Sequence, residues 1–465
     1  AFFAATYTAP LSSVLQFRDA TYWKAMYDMT RTTSIAAALV LLLSAPLAHA
    51  IDNAPVNALV SAAVTRPALP SAAAALKVDD YKETDVWGRI RSGYAIPDIS
   101  NSLVDRHVKS YSLKPEYMAR ISGRASLYLF HVVQELEKRN MPTELALLPI
   151  IESAFNPQAL STANAAGIWQ FVPGTGKDYD LKQNTFKDER RGVLASTDAA
   201  LTYLQRLYTM FGDWQLALAA YNWGEGNVQK AIKKNQALGK PTDFESLADL
   251  MPAETRNYVP KLQAVKNIVG NPVQYNVALP VIDNQPYFTA VDKTSDIDLA
   301  IAAQLAEMSL DEFKALNPQF KRPVITGGDR TKILLPQKNA EKFHLNLAQF
   351  GQALSTWTTH KITGAKESIA SLASKFGTTP EVIRQANNIP AQTRLKAGST
   401  ILVPKTSASL HSDIAENIVD SAVMALEADR GEKRSGARTQ RFKTKAVASS
   451  GKRVSRSTNS TRKHR

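Results

Sequence analysis

Between Pro115 and Asn140 the apolar residues Met118, Ile121, Ala125, Leu129, Val132 and Leu136 recur at steps of three and four, the stripe of an amphipathic helix. Pro142 and Thr143 open a second helix with the threonine in the capping position, and further helical runs extend from Ser196 to Met210 and from Asp213 to Tyr221. Alternating patterns are nearly missing from residues 81–273, so this stretch reads as an all-helical globule of about 190 residues. Past Tyr287 the pattern changes, and two stretches repeat one order of features. Each has a helix containing Ile-Ala, a second short helix, an asparagine near its end, a turn with glycine and a closing strand, Ile-Leu-Leu-Pro in one and Ile-Leu-Val-Pro in the other. The repeat predicts two small α+β units, at residues 287–337 and 357–406.

A length of 465 residues allows such a multi-domain chain. Ahead of it, Arg31, the apolar run Ile35 to Leu43 and the small-residue site Ala48, His49, Ala50 predict a secretory signal peptide cut after Ala50. The apolar run is too short to span a membrane, which takes roughly 20 residues. The chain does not begin with Met, so residues 1–28 are set aside as an upstream segment and the expected start is Met26 or Met29. Residues 51–80, rich in Ala and Pro, read as a linker, and 407–465 as a basic, solvated tail. From Arg430 onward that tail holds 13 Lys and Arg against one Glu, which accounts for +12 of the formal +14. The charge therefore belongs to the tail, and an anionic envelope polymer is the partner it suggests. Nucleic acid is not expected, because the basic run has one interleaved aromatic, Phe442. With no cysteine there is no disulfide, thiolate metal site, cysteine nucleophile or cysteine-linked lipid anchor. No His pair or carboxylate cluster stands at ligand spacing, so neither metal nor cofactor is expected.

The stretch LALLPIIESAFNPQALSTANAAGIWQF, residues 145–171, sets one carboxylate, Glu152, among apolar neighbours. If residues 144–155 are helical, Leu145, Leu148, Pro149, Glu152 and Phe155 share a face, and Pro149 predicts a kink just ahead of the acid. A carboxyl at the end of an apolar stripe has a raised pKa and stays protonated near neutral pH, the state a general acid needs. From position alone, a helix-end glutamate turned to solvent or bound to a backbone amide is the competing reading.

Three stretches in order, ESAFNPQALSTANAAGIWQFVPGTG, LALAAYNWGEGNV and ETRNYVPKL, resemble the motifs of the soluble-lytic-transglycosylase type of lysozyme-like domain. VWGRIRSGYAIPD and KRNMPTELALLPIIESAF further resemble its lytic murein transglycosylase D branch, and the likeness covers residues 81–273. The resemblance implies a lysozyme-like all-α fold that cleaves the β-1,4 bond between N-acetylmuramic acid and N-acetylglucosamine of peptidoglycan without water, giving 1,6-anhydromuramoyl products. It implies Glu152 as the single catalytic acid and base, Ser161 and Gln170 lining the cleft, Tyr221 and Asn222 facing the acid, and Tyr258 closing the site from the last helix. Plainer readings stand beside these: Tyr221 as a core aromatic, Ser161 as a turn residue, Asn222 with Gly224 as a helix stop, Gly167 as a backbone requirement, and Trp169 as either a sugar platform or core filling.

Ordinary glycosidases use two carboxylates. The acids nearest downstream, Asp178, Asp180, Asp188 and Glu189, sit in what reads as a polar, Lys-rich loop, and none is marked as a partner. A hydrolytic muramidase is therefore the nearest alternative, followed by a non-catalytic peptidoglycan-binding protein. The two repeats resemble LysM modules, βααβ units that bind N-acetylglucosamine-containing glycan. The second matches through Ile369, Ala370, Phe376, Asn387 and Gly398, and neither keeps the usual Gly-Asp-Thr-Leu opening. The implied partner is the peptidoglycan glycan strand, and the implied place the periplasm or cell envelope.

Overall fold

The computed structural model describes residues 84–326, 331–364 and 367–428; the upstream segment, the signal peptide, the linker and the basic run from Arg430 lie outside the described residues. The first part is helical: α1 (Val86–Ser92), α2 (Ser102–Ser112), α3 (Pro115–Ala125), α4 (Leu129–Lys138), α5 (Leu148–Ser153), α6 (Pro173–Asp178), α7 (Val193–Phe211), α8 (Trp214–Trp223), α9 (Glu225–Ala237), α10 (Phe244–Leu247) and α11 (Ala253–Gly270). Asp85 caps α1 through the Trp87 amide and also accepts from Ile282 N (3.2 Å), so the two ends of this part are tied together. Ala217, Ala219 and Ala220 of α8 are buried with Leu201 and Leu204 of α7 and Ala264 and Val265 of α11. Small side chains on the middle helix are what let three helices approach closely at normal interior density.

Two expectations for the early helices are corrected. The single helix over 115–140 is two, broken at residues 126–128, although all six residues of its apolar stripe are buried. The break turns Tyr128 inward, where its hydroxyl donates to Ala315 O (2.6 Å) in a later part of the chain. Thr143 is not a cap. Its hydroxyl donates to Ile90 O (2.6 Å) and its amide to Gly93 O (3.1 Å), docking α1 onto a 3-10 turn, Thr143–Leu147, that begins after Pro142.

That turn passes into α5 at Leu148, so residues 144–155 are not one α-helix. Pro149 sits in the first turn of α5, where no amide partner is lost, and it starts a helix instead of kinking one. Glu144, within the 3-10 turn, is fully buried. It accepts from Ala95 N (3.0 Å) and Ile96 N (2.7 Å) and pairs with Lys266 Nζ (3.1 Å), which clamps the α1–α2 loop to α11.

The repeat forms two α+β modules. In the first, β1 (Phe288–Asp292) pairs antiparallel with β4 (Lys332–Pro336), Phe288 opposite Pro336; between them lie β2 (Ile297–Asp298), α12 (Leu299–Leu305), α13 (Leu310–Leu316) and β3 (Val324–Ile325). Helix α14 (Gln337–Gln349) follows and adds Ala340 and Phe343 to that module's core. In the second, β5 (Trp357–Lys361) pairs with β7 (Thr400–Pro404), Trp357 opposite Pro404, around α15 (Ile369–Lys375), α16 (Pro380–Asn387) and β6 (Thr393–Leu395).

One asparagine does the same work in each module. Asn317 Nδ2 donates to Phe313 O and Leu334 O while Oδ1 accepts from Leu334 N; Asn387 does this with Ile383 O, Leu402 O and Leu402 N. Each buried amide thus ties its second helix to the closing strand with every bond satisfied.

The solvated tail expected from residue 407 is corrected for residues 407–428. They form α17 (Glu416–Ser421) and β8 (Leu426–Ala428), the latter paired with β6. Ile414, Val419 and Ala422 are buried with Phe186 of the helical part and Val324 and Leu402 of the modules. Thr185 Oγ1 donates to Ala422 O (2.9 Å), Lys182 pairs with Asp420 (3.2 Å), and Asp296 accepts from Ile414 N (2.8 Å). Apolar residues spaced through 414–422 supply the burial that a polar tail lacks.

Candidate active site

Glu152 is next to last in α5, where the helix's unpaired carbonyls disfavour negative charge. Ala154 and Phe155 follow in the left-handed region, φ 53° and 54°, a costly pair for residues with a Cβ. The turn is held by Ala154 N to Ile150 O (3.1 Å), Phe155 N to Pro149 O (3.0 Å) and Arg124 Nε to Ala154 O (2.7 Å), with the Phe155 ring fully buried. Ser153 Oγ donates to Ile168 O (3.0 Å), which fixes α5 against the 167–170 loop. In that loop Gly167 has φ 83°, and a Cβ there would lie 1.9 Å from Arg190 O, so no other residue fits.

Removal from water pushes the Glu152 carboxyl up from its ordinary 4.5 to about 7. The Tyr258 hydroxyl, donating to Oε1 at 2.5 Å, works against this; the charge of Glu254 adds to it and Lys261 opposes it. Glu152 thus differs from Glu144, whose carboxylate is met by two amides and an ammonium. Glu152 has the Tyr258 hydroxyl in their place and is left able to exchange a proton.

Of the residues expected around the acid, Tyr258 touches it and is 4% exposed. Tyr221 lies beside it: burial first and the Glu152 charge next push the phenol well above its ordinary value, while the hydroxyl donates to Trp169 O (2.9 Å). Asn222 is linked through Glu254, with Nδ2 3.5 Å from Glu254 Oε1 and Oδ1 accepting from Thr255 Oγ1 (2.7 Å). Gln170 has φ 51° and returns its amide to Gly167 O (2.8 Å). Ser161 closes the 161–165 turn, its hydroxyl accepting from Ala165 N (3.0 Å), and none of its hydrogen bonds reaches Glu152. Trp169 fills the core, fully buried with Nε1 on Thr197 Oγ1 (3.0 Å).

Several neighbours escaped the sequence reading. Glu254 is the carboxylate whose charge acts on Glu152, and it opens the same ETRNYV stretch that supplies Tyr258. Tyr203 and Tyr221 rings stand 5.4 Å apart, and Tyr203 donates to Glu225 (2.9 Å), which pairs with Arg206 (2.6 Å). Glu225 was legible within YNWGEG, whereas Tyr203 is a lone aromatic on a helix and carries no signal. The polar loop with Asp188 and Glu189 is corrected as well. Asp188 is buried and holds Arg190 through two bonds (2.9 and 2.7 Å), Glu189 pairs with Lys187 (2.8 Å), and the loop docks on the first module through Asp188 N to Gln319 O (2.9 Å).

Comparison with known proteins gives a consistent assignment. The family model described as Transglycosylase SLT domain matches residues 132–244, the one described as Lytic transglycosylase MltD, LysM-like domain matches 287–352, and LysM domain matches 365–404. Membrane-bound lytic murein transglycosylase D of Escherichia coli (strain K12) is 37% identical over 331 residues, 69% of this chain and 72% of the relative. Membrane-bound lytic murein transglycosylase C of Glaesserella parasuis serovar 5 (strain SH0165) is 27% identical over 42% of this chain and 61% of its own length. Soluble lytic murein transglycosylase of Salmonella typhimurium (strain LT2) is 33% identical over 24% of this chain and 18% of its own. By its likeness to the first of these relatives along most of both chains, and by modules matched in the same order, the chain belongs to the lytic murein transglycosylase D family.

Proposed function

We propose that Glu152 serves as both acid and base in the peptidoglycan lytic transglycosylase reaction that this chain performs. A carboxyl titrating near 7 is protonated in a large fraction of molecules at neutral pH and gives up its proton readily, which suits one group to two transfers. In the first step Glu152 protonates the glycosidic oxygen as the bond to muramyl C1 breaks toward an oxocarbenium-like state. The carboxylate then takes the proton of the muramyl 6-hydroxyl while its oxygen bonds to C1, closing the 1,6-anhydro ring and restoring the acid. Water is not consumed.

Tyr258, donating to Oε1, stabilises the anion formed between the two transfers and leaves the other oxygen to face the sugar. Tyr221 orients the 167–170 loop through Trp169 O, and Asn222, Gln170 and Ser161 are assigned to sugar contacts. Among the loop acids once available as a second carboxylate, Asp188 and Glu189 are engaged by Arg190 and Lys187. A hydrolytic route would draw on Asp178, Asp180 or Glu254, the last being the carboxylate whose charge acts on Glu152.

The LysM modules bind peptidoglycan, and the protein works in the cell envelope. We assign it to the periplasm on the strength of the signal-like segment ending at Ala50, with the basic run from Arg430 as a contact for an anionic envelope polymer. The observation that carries the catalytic reading is the bond from Tyr258 to a Glu152 held near 7. Digesting purified peptidoglycan with the protein and with Glu152→Gln, followed by mass spectrometry, tests it. Products one water lighter, without reducing muramic acid and absent from the variant, are expected; reducing muramic acid ends would mean a hydrolase with a second carboxylate.

A further inference from the structure

A cavity of about 360 Å³ where the two modules meet is lined by Lys314, Phe320, Lys321 and Arg322 of the first and by Trp357 and Gln385 of the second. Among the described residues no acidic side chain lines it. Arg322 is 5% exposed; its Nε donates to Thr185 O (3.0 Å), but its Nη1 meets no hydrogen-bond acceptor among the described residues. Burial holds this guanidinium below its ordinary value.

A buried guanidinium lacking a counter-charge is costly to the fold, and here two ammoniums stand near it. Lys321 donates to Asn184 O (2.8 Å) and is itself held low by burial and by the charges of Arg322, Arg191 and Arg190. The charge of Asp188 opposes this, second in size only to burial, but that carboxylate is already engaged by Arg190. The groove of the second module, about 530 Å³, is built otherwise, since Glu367 and Glu427 line it together with Arg384, Arg394 and Lys396. The cavity between the modules instead gathers Lys314, Lys321 and Arg322 with no acid among its described lining residues, which suits it to an anion brought from outside.

We propose that this cavity binds a carboxylate of the peptide stems carried by peptidoglycan, with the Arg322 fork on the carboxylate and Phe320 and Trp357 flanking its carbon chain. The assignment rests on peptidoglycan being the substrate. A guanidinium presents parallel N–H donors that match a carboxylate, and Arg322, which lines the cavity, has a buried Nη1 that meets no acceptor among the described residues. A single deep guanidinium between aromatic walls fits a small organic acid; a phosphate polymer calls for a row of cations on an open surface. Lys314, exposed at the rim, draws the acid in.

Titration calorimetry on the whole protein tests the site, with L-alanyl-D-glutamate and its diamide as probes, inorganic phosphate as a control, and Arg322→Gln and Lys314→Ala as variants. The acid is expected to bind and the diamide to bind at least about tenfold more weakly; Arg322→Gln is expected to lose about tenfold and Lys314→Ala about threefold. Equal binding of acid and diamide, wild-type binding by both variants, or phosphate binding as tight as the peptide acid would each overturn the proposal. Should Arg322→Gln fail to fold, as read by circular dichroism, Lys314→Ala and the acid–diamide pair still decide. Release of 1,6-anhydro products from peptide-free glycan strands is followed in the same preparations and is expected to be unchanged in both variants. A protein that releases these products without binding the acid sinks the site alone, and one that binds the acid without releasing them sinks the catalytic reading alone.

Discussion

Replacing Glu152 by glutamine removes a carboxyl whose folded pKa is about 7 against an ordinary 4.5. Because the folded value is raised, the native protein holds this proton more tightly than the unfolded chain does between those pH values. The carboxyl therefore costs the fold nothing below 4.5, and its penalty grows as pH rises through the window, reaching full size above 7. The gap from 4.5 to about 7 corresponds to about 3 kcal/mol. Glu152 is only half-buried and keeps some contact with water, which brings the figure to about 2 kcal/mol. Glutamine has no such window and still offers an oxygen to Tyr258. Glu152→Gln should therefore gain about 2 kcal/mol of stability over wild type on going from about pH 4.5 to about pH 8, while losing activity. Urea denaturation followed by tryptophan fluorescence reads this, since Trp87 and Trp169 are both buried in the helical core. A stability difference that stays constant with pH would mean that Glu152 ionises at its ordinary value, and the burial argument would be wrong.

Tyr258→Phe and Glu254→Gln should move the alkaline limb of the pH–rate profile in opposite directions. Losing the tyrosine donor raises the Glu152 pKa further and shifts the limb up with about a tenfold loss of kcat; losing the neighbouring charge lowers it and shifts the limb down. Gly167→Ala would place a Cβ 1.9 Å from Arg190 O at φ 83°, so a loss of more than about 4 kcal/mol and a drop in soluble folded protein are expected from thermal melts. Asn387→Leu leaves the amide and carbonyl of Leu402 without their partner, and hydrogen exchange should show the second module opening at a cost of about 3 kcal/mol while the helical part stays protected.

What could be read from the sequence was whatever depends on near neighbours. The stripe from Met118 to Leu136 was legible because burial of one helix face repeats every three or four residues. The break inside it was not, since Tyr128 turns toward Ala315, 187 positions away. Glu152 stood out by its apolar flanks, but its bond to Tyr258 joins residues 106 apart, and only the resemblance put that tyrosine at the site. Asp188 and Glu189 looked solvated because their loop is polar; nothing local says that its backbone meets Gln319 and Lys321 of a later module. Residues 407–428 read as tail because the strong basic bias further on masks the sparse apolar positions Ile414, Val419 and Ala422.

The segment that ends in β8 also governs how the modules serve catalysis. A binding module on a slack tether raises local concentration over a range of distances. Here Thr185, Lys182 and Phe186 grip residues 414–422, and that segment is laced to both modules, so the slack is gone. The molecule behaves as a caliper with fixed jaws. A ligand held in the second module is thereby kept at one span from the helical part, a distance set by the fold and not by a tether.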